Sequence, residues 1–175
     1  MSFKEVKVDG TVIYEGKILT LERDTVLLPD GKNAKREIVR HSGGAAVLFV
    51  KDGEVLLVRQ FRYAYNKEMY EIPAGLVNDG EEPIAAAARE LEEETGYKAE
   101  LSHLVDIYPS PGYTDEIIHV YLAESFNLSR QRLDEGEFLN VEFIPLDIVL
   151  RKIENSEICD AKTVVAIYKY LSLTK

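Results

Sequence analysis

An α/β or α+β sandwich, preceded by an antiparallel β section, is the fold class this sequence predicts. Three observations carry the prediction. Short segments rich in β-branched and apolar residues recur between residues 11 and 144. Apolar residues at helical spacing occur in three places after residue 82. Turn residues, among them Pro-Asp-Gly and Asp-Gly, separate neighbouring segments. Strands interleaved with a few helices pack as layers on a shared core. With 175 residues and 46% apolar composition, the chain is sized for one domain plus a small accessory piece.

The elements follow in order. Residues 11–14 and 18–28 read as strands, and Pro29-Asp30-Gly31-Lys32 turns the chain into a third at 36–40. Residues 45–50 and 55–60 flank Lys51-Asp52-Gly53-Glu54, and Asp-Gly between two apolar runs is a strong hairpin signal. Tyr70-Glu71-Ile72-Pro73-Ala74-Gly75 ends in a glycine-containing loop. Pro83 suits a first helical turn, with Glu81 and Glu82 at the positive end of the dipole. That helix should run to about Thr95, with Gly96 as its C′ residue. Ile84, Ala87, Ala88 and Leu91 form its expected buried stripe, and the alanines would allow close packing on a sheet. Residues 101–108 and 117–122 read as strands joined by a loop at 109–115. Residues 129–137 read as a mobile acidic loop, 141–144 as a strand, and 146–153 and 160–171 as helices.

Composition removes several functions. The net charge of −10 leaves no basic surplus to neutralise nucleic-acid phosphates. The apolar runs are short and broken by charges, so no transmembrane helix and no membrane role is expected. The first ten residues lack the apolar core of a secretory signal, and the single Cys159 fits a reducing cytoplasm. His41, His103 and His119 are scattered, so no zinc site is expected.

The chemistry concentrates at Gly75, Glu81 and the run Arg89-Glu90-Leu91-Glu92-Glu93-Glu94-Thr95-Gly96-Tyr97. Glu90, Glu93 and Glu94 stand at i, i+3 and i+4, on one helix face and away from the expected apolar stripe. Acidic helix faces are usually just solvated. If this one is enclosed, two carboxylates ~5 Å apart repel by about 3 kcal/mol at an effective dielectric of roughly 20. A hard divalent cation would turn that penalty into attraction, which points to metal-assisted chemistry on a phosphorylated substrate.

These residues match, at every fixed position, the signature of the Nudix hydrolases: Gly75, Glu81, Arg89, Glu90, Glu93, Glu94 and Gly96, with Leu91 and Tyr97 at its apolar or aromatic sites. Seven fixed letters at roughly 5–7% abundance each give a chance match on the order of 10⁻⁹ to 10⁻⁸ per start position. The chain therefore resembles a Nudix hydrolase over nearly its full length. The resemblance implies an α/β/α sandwich with a mixed sheet, formed by residues 41–175. Residues 1–40 would then be an N-terminal β section serving dimerisation and an adenosine pocket. It also implies Mg²⁺ or Mn²⁺ held by Glu90 and Glu94, by the backbone carbonyl of Ala74, and by Glu93 as ligand or proton acceptor. Arg89 would orient the glutamates. Glu81 has two readings, a metal ligand or a brace for the loop, and Glu92 reads as solvated.

Flanking residues are similar to the ADP-ribose pyrophosphatase branch. Gln60-Phe61-Arg62 precedes Glu71-Ile72-Pro73-Ala74-Gly75, and Ser110-Pro111-Gly112 places a proline fourteen residues beyond Tyr97, followed by Asp115 and Glu116. The branch implies hydrolysis of ADP-ribose to AMP and ribose 5-phosphate by a homodimer. Arg62 is then a phosphate ligand, the alternative being a surface ion pair, because a guanidinium holds two oxygens at once. Arg36, Arg40, Pro111 and Gly112 fall to substrate binding. Among Asp134, Glu135 and Glu137, a catalytic base is expected at Glu137, with Glu135 second; a solvated loop is the alternative. The rival functions are hydrolysis of another nucleotide sugar, a dinucleotide or an oxidised nucleotide, and a non-catalytic ADP-ribose-binding module. Cys159 lacks a nucleophile motif and reads as structural.

Overall fold

The computed structural model describes residues 2–174. Met1 and Lys175, the outer limits of the two expected domains, lie outside the described residues. The chain forms two compact units.

The first unit takes residues 2–43 together with Tyr108–Ile117. Its sheet is antiparallel, β1 (Val6–Glu15), β2 (Leu19–Leu27) and β3 (Asn33–His41) in that order. β1 and β3 are longer than their apolar runs, because pairing with β2 carries polar residues such as Lys7 and Asp9 into the ladder. Along β1 every residue is exposed, including Val6, Val8, Val12, Ile13 and Tyr14. The Tyr108–Ile117 segment docks on β3: Val39 N–H donates to the Tyr113 carbonyl at 2.7 Å, and Asp115 N–H donates to the Val39 carbonyl at 3.3 Å.

The second unit takes residues 44–107 and 118–174. In chain order it comprises β4 (Gly44–Leu48), β5 (Val50–Lys51), β6 (Glu54–Arg62), β7 (Lys67–Glu71), β8 (Ala74–Leu76), α1 (Pro83–Thr95), β9 (Tyr97–Ile107), β10 (Ile118–Leu128), β11 (Leu139–Pro145), α2 (Leu146–Glu154) and α3 (Ala161–Leu173). One sheet is mixed, in the order β8-β4-β10-β9, with β4 and β10 parallel. In the other, β5, β7 and β11 all pair antiparallel with β6. β4 is buried on both faces, as a central strand with a parallel neighbour should be. Ala45 and Val47 pack with Ala86, Ala87 and Leu91 of α1, while Ala46 and Leu48 pack with Val149, Ala166 and Ile167 of α2 and α3. Helices thus cover both faces, and the layers are those of the expected α/β/α sandwich with a mixed sheet. No helix among the described residues is long and apolar enough to cross a membrane.

Two expectations are corrected. Asp52 and Gly53 do turn the chain, both with positive φ, but the hairpin joins β6 only to the two residues of β5. The run at 45–50 divides at Phe49, whose ring leaves the ladder for a cluster with Tyr97, Phe126 and Phe143. The buried face of α1 also differs from the expected stripe. Ile84 and Ala88 are exposed, whereas Ala86, Ala87, Leu91, Glu94 and Thr95 are buried. The helix is rotated so that Glu94 enters the packed side, and the acidic and apolar faces overlap instead of standing apart.

Candidate active site

The start of α1 is shaped by Pro83 in its first turn, and its end by Gly96, a left-handed C-cap with φ 75°. This puts Arg89 at a hub. Its Nε and Nη2 donate to Glu81 Oε1 and Oε2, each at 3.0 Å. Nη1 donates to Glu90 at 2.7 Å and to Glu93 at 3.0 Å, and Nη2 also reaches the Leu76 carbonyl at 3.0 Å. Glu81 additionally accepts from the Asn78 backbone and side-chain N–H groups. Those bonds, the Arg89 fork first, hold its carboxyl down at about 2. Both oxygens of Glu81 are thus occupied by donors from Arg89 and Asn78.

Glu90 and Glu94 sit on the inner side of this hub. The Glu90 carboxylate lies flat on the backbone of Gly75, where any Cβ would fall on it. Glycine is needed here for this close approach, not for an unusual φ. Burial raises the Glu90 carboxyl above its ordinary range, against the pull of Arg89. Glu94 is only 1% exposed; its Oε2 accepts the Ala74 N–H at 3.0 Å, and Oε1 accepts no hydrogen bond among the described residues. Burial pushes its carboxyl up to about 8, and the charges of Glu90 and Glu137 add to the push. Glu93 is more exposed and held by Arg89.

The acidic loop is partly docked. Gln131 Nε2 donates to the Glu94 carbonyl at 2.6 Å, Arg132 N–H to the Glu93 carbonyl at 2.9 Å, and Ser129 N–H to the Gly96 carbonyl at 2.6 Å. Together they satisfy carbonyls that the end of α1 leaves open. Glu92 is not simply solvated: it accepts from Ser129 Oγ at 2.7 Å and pairs with Lys98. Further along, Glu137 accepts from Asp134 N–H at 3.3 Å, and its charge acts on both Glu90 and Glu94.

Arg62 forms a fork on Glu71, with Nε to Oε1 at 2.7 Å and Nη2 to Oε2 at 2.6 Å. Its Nη1 has no partner among the described residues. Glu71 is buried and also receives Lys162 Nζ at 2.6 Å; burial alone would raise its carboxyl, but the two cations hold it below the usual range. Sequence reasoning missed Lys162, Asp160 and Thr163. A lysine inside the apolar run of α3, two residues past a capping aspartate, was the available signal.

The expected binding residues of the first unit fall into two places. Arg36, Pro111 and Gly112 line one cavity of about 330 Å³, with Tyr113, Asp115 and Glu5. Arg36 forks onto Glu5 at 2.9 and 2.5 Å. Arg40 lines a separate groove and is held by Glu22 at 3.1 Å and Asp115 at 3.0 Å.

The NUDIX domain model matches residues 39–164, more than half of the chain, and includes every residue of the glutamate site. The chain belongs to the Nudix family. A further model, the nucleoside diphosphate sugar hydrolase N-terminal domain, matches residues 7–39. The chain is 46% identical over 176 residues to a Bacillus subtilis (strain 168) protein named ADP-ribose pyrophosphatase, covering 98% of this chain and 95% of that one. It is 41% identical over 175 residues to a Bacillus methanolicus protein named methanol dehydrogenase activator, covering 98% and 94%. A solved structure described as an ADP compounds hydrolase superposes with a TM-score of 0.85 at 20% identity, over 97% of this chain and 94% of that chain, and so shares the fold.

As a Nudix hydrolase the protein is an enzyme acting on a small nucleotide substrate, in a family that generally depends on a divalent metal. Among the described residues, no three carboxylate, imidazole or thiol groups are already gathered as metal ligands. The donors nonetheless fit one: they are hard oxygens, and buried Glu94 has a raised proton affinity with one oxygen unpartnered. Arg89 occupies the side of Glu90 and Glu93 that would otherwise repel. The histidines are less scattered than their positions in the chain, because β9–β10 pairing brings His103 and His119 to one oxygen of Asp106, at 2.9 and 2.8 Å.

Proposed function

We propose that this Nudix hydrolase cleaves the pyrophosphate of ADP-ribose to AMP and ribose 5-phosphate, with Mg²⁺, or Mn²⁺ in its place. The observation that carries the reading is an intact glutamate site in a chain 46% identical, almost end to end, to an ADP-ribose pyrophosphatase.

Glu90, Glu94, Glu93 and the Ala74 carbonyl would hold the metal, which when bound would supply a Lewis acid for phosphoryl oxygen and lower the pKa of water. Arg89 keeps the carboxylates oriented and does not touch substrate. Glu137 accepts the proton of the attacking water, with Glu135 the second choice; its effect on Glu90 and Glu94 favours Glu137. Arg62 offers Nη1 to a phosphate oxygen. Arg36, Pro111 and Gly112 receive the adenosine end in their cavity. Arg40 contributes by fixing Asp115 at the cavity wall. Residues 1–40 serve this pocket and association into a homodimer, for which the exposed apolar residues of β1 are suited. Residues 41–175 carry the hydrolysis.

A second reading, another nucleoside diphosphate sugar, is favoured by the match of residues 7–39. Purified protein with Mg²⁺ is assayed on ADP-ribose, ADP-glucose, GDP-mannose and NADH, with products resolved by chromatography. The highest kcat/KM is expected for ADP-ribose, with AMP released. A tenfold preference for any other substrate would replace the assignment.

A further inference from the structure

Lys162 lies in the first turn of α3, 7% exposed, against Glu71 at 2%. Its Nζ donates to Glu71 Oε2 at 2.6 Å and to Asp160 Oδ1 at 3.0 Å. Glu71 Oε2 thus receives two cationic donors, Lys162 and Arg62. The other oxygen of Asp160 caps α3, accepting Thr163 N–H at 3.0 Å and Thr163 Oγ1 at 2.6 Å. Thr163 Oγ1 in turn accepts the Ile72 N–H at 2.8 Å.

Stability alone does not explain this lysine. A helix N-terminus disfavours a cation. Replacing a buried ion-pair cluster by apolar residues is often neutral or stabilising. Geometry gives a reason. Lys162, itself fixed by Asp160, is a second donor on Glu71 Oε2, so the buried carboxylate is held in place. The Arg62 fork on that carboxylate is then fixed in turn, with Nη1 left free. Ala74, three residues beyond Glu71, donates its N–H to Glu94 Oε2 at 3.0 Å, so the cluster adjoins the glutamate site.

We propose that Lys162 is a positioning residue of the diphosphate subsite, locking Glu71 so that Arg62 presents Nη1 to the substrate's phosphate. The proposal rests on the reading of Arg62 as a phosphate ligand. It goes further by assigning the residue that makes that arginine available.

The test is a double-mutant cycle on ADP-ribose hydrolysis with saturating Mg²⁺, reading KM and kcat separately. Arg62→Ala should raise KM at least tenfold, the scale of one lost charge-assisted hydrogen bond. Lys162→Met should raise KM about five- to tenfold and leave kcat within twofold. In the Arg62→Ala background, Lys162→Met should add nothing to KM. An unchanged KM in Lys162→Met, or effects that multiply in the double variant, would overturn the positioning role while leaving Arg62 in place. An unchanged KM in Arg62→Ala would overturn the role of Arg62 and the proposal with it. If Lys162→Met does not fold, Glu71→Gln carries the same test: it keeps the shape, releases both cations, and must raise KM through Arg62 alone.

Discussion

Glu94→Gln should stabilise the metal-free protein at neutral pH while destroying its activity. The carboxyl is 1% exposed and stands at about 8, against 4.5 for an ordinary glutamate. Between those values the native state holds a proton that the unfolded chain has released. Stability is therefore complete below pH 4.5 and falls as pH rises towards 8. The slope is ~1.4 kcal/mol per pH unit, which accumulates to about 3 kcal/mol by pH 7. Glutamine keeps the shape and an oxygen for the Ala74 N–H, but carries no charge to desolvate. The variant should therefore gain roughly 2–3 kcal/mol over wild type at pH 7 in EDTA, on the order of 4–12 °C in Tm, and almost nothing at pH 4.5. Mg²⁺ should raise the Tm of wild type at pH 8 and leave the variant unmoved. Urea unfolding across pH 4.5–8, with and without Mg²⁺, measures all of this. A pH-independent difference between the two proteins would refute the account of Glu94 as a buried, uncompensated acid. Turnover should fall by at least a hundredfold, whereas a non-catalytic module would have no turnover to lose.

Gly75→Ala places a methyl group on the Glu90 carboxylate and should cut kcat at least a hundredfold, with far-UV circular dichroism retained. Glu137→Gln should lower kcat by ~10²–10⁴-fold and Glu135→Gln by less than threefold, read from initial rates at saturating Mg²⁺; equal losses would remove Glu137 as the base. Wild type should sediment at twice its 19.8 kDa chain mass at micromolar concentration, and Val12→Asp with Ile13→Asp should return it to a single chain.

Much of this protein is legible in its sequence where the determinants are local. Pro83 and Gly96 bracket α1, and Asp52-Gly53 makes its turn, because capping and turn chemistry act within a few residues. The spacing of Glu90, Glu93 and Glu94 announces one helix face for the same reason. What that face packs against is a tertiary matter. Helical periodicity alone could not tell whether Ile84 and Ala88 or Ala86 and Glu94 would be buried, since all lie within a turn or so of the apolar centre. The Glu71–Lys162 and Ile72–Thr163 contacts each join residues 91 apart, and no local pattern reports a pairing of that kind. Glu92 looks solvated from its helix position alone because its partner, Ser129, arrives from a loop 37 residues away.

The bond from Arg132 to the Glu93 carbonyl gives the loop a fixed pivot on the last turn of α1. Glu137 lies five residues beyond that pivot, and a leash of five extended residues reaches at most ~18 Å. The proposed proton acceptor and the proposed cation ligands thus share one mechanical origin. Shortening the stretch 133–136 should shrink the arc available to Glu137 without disturbing the helix that anchors it.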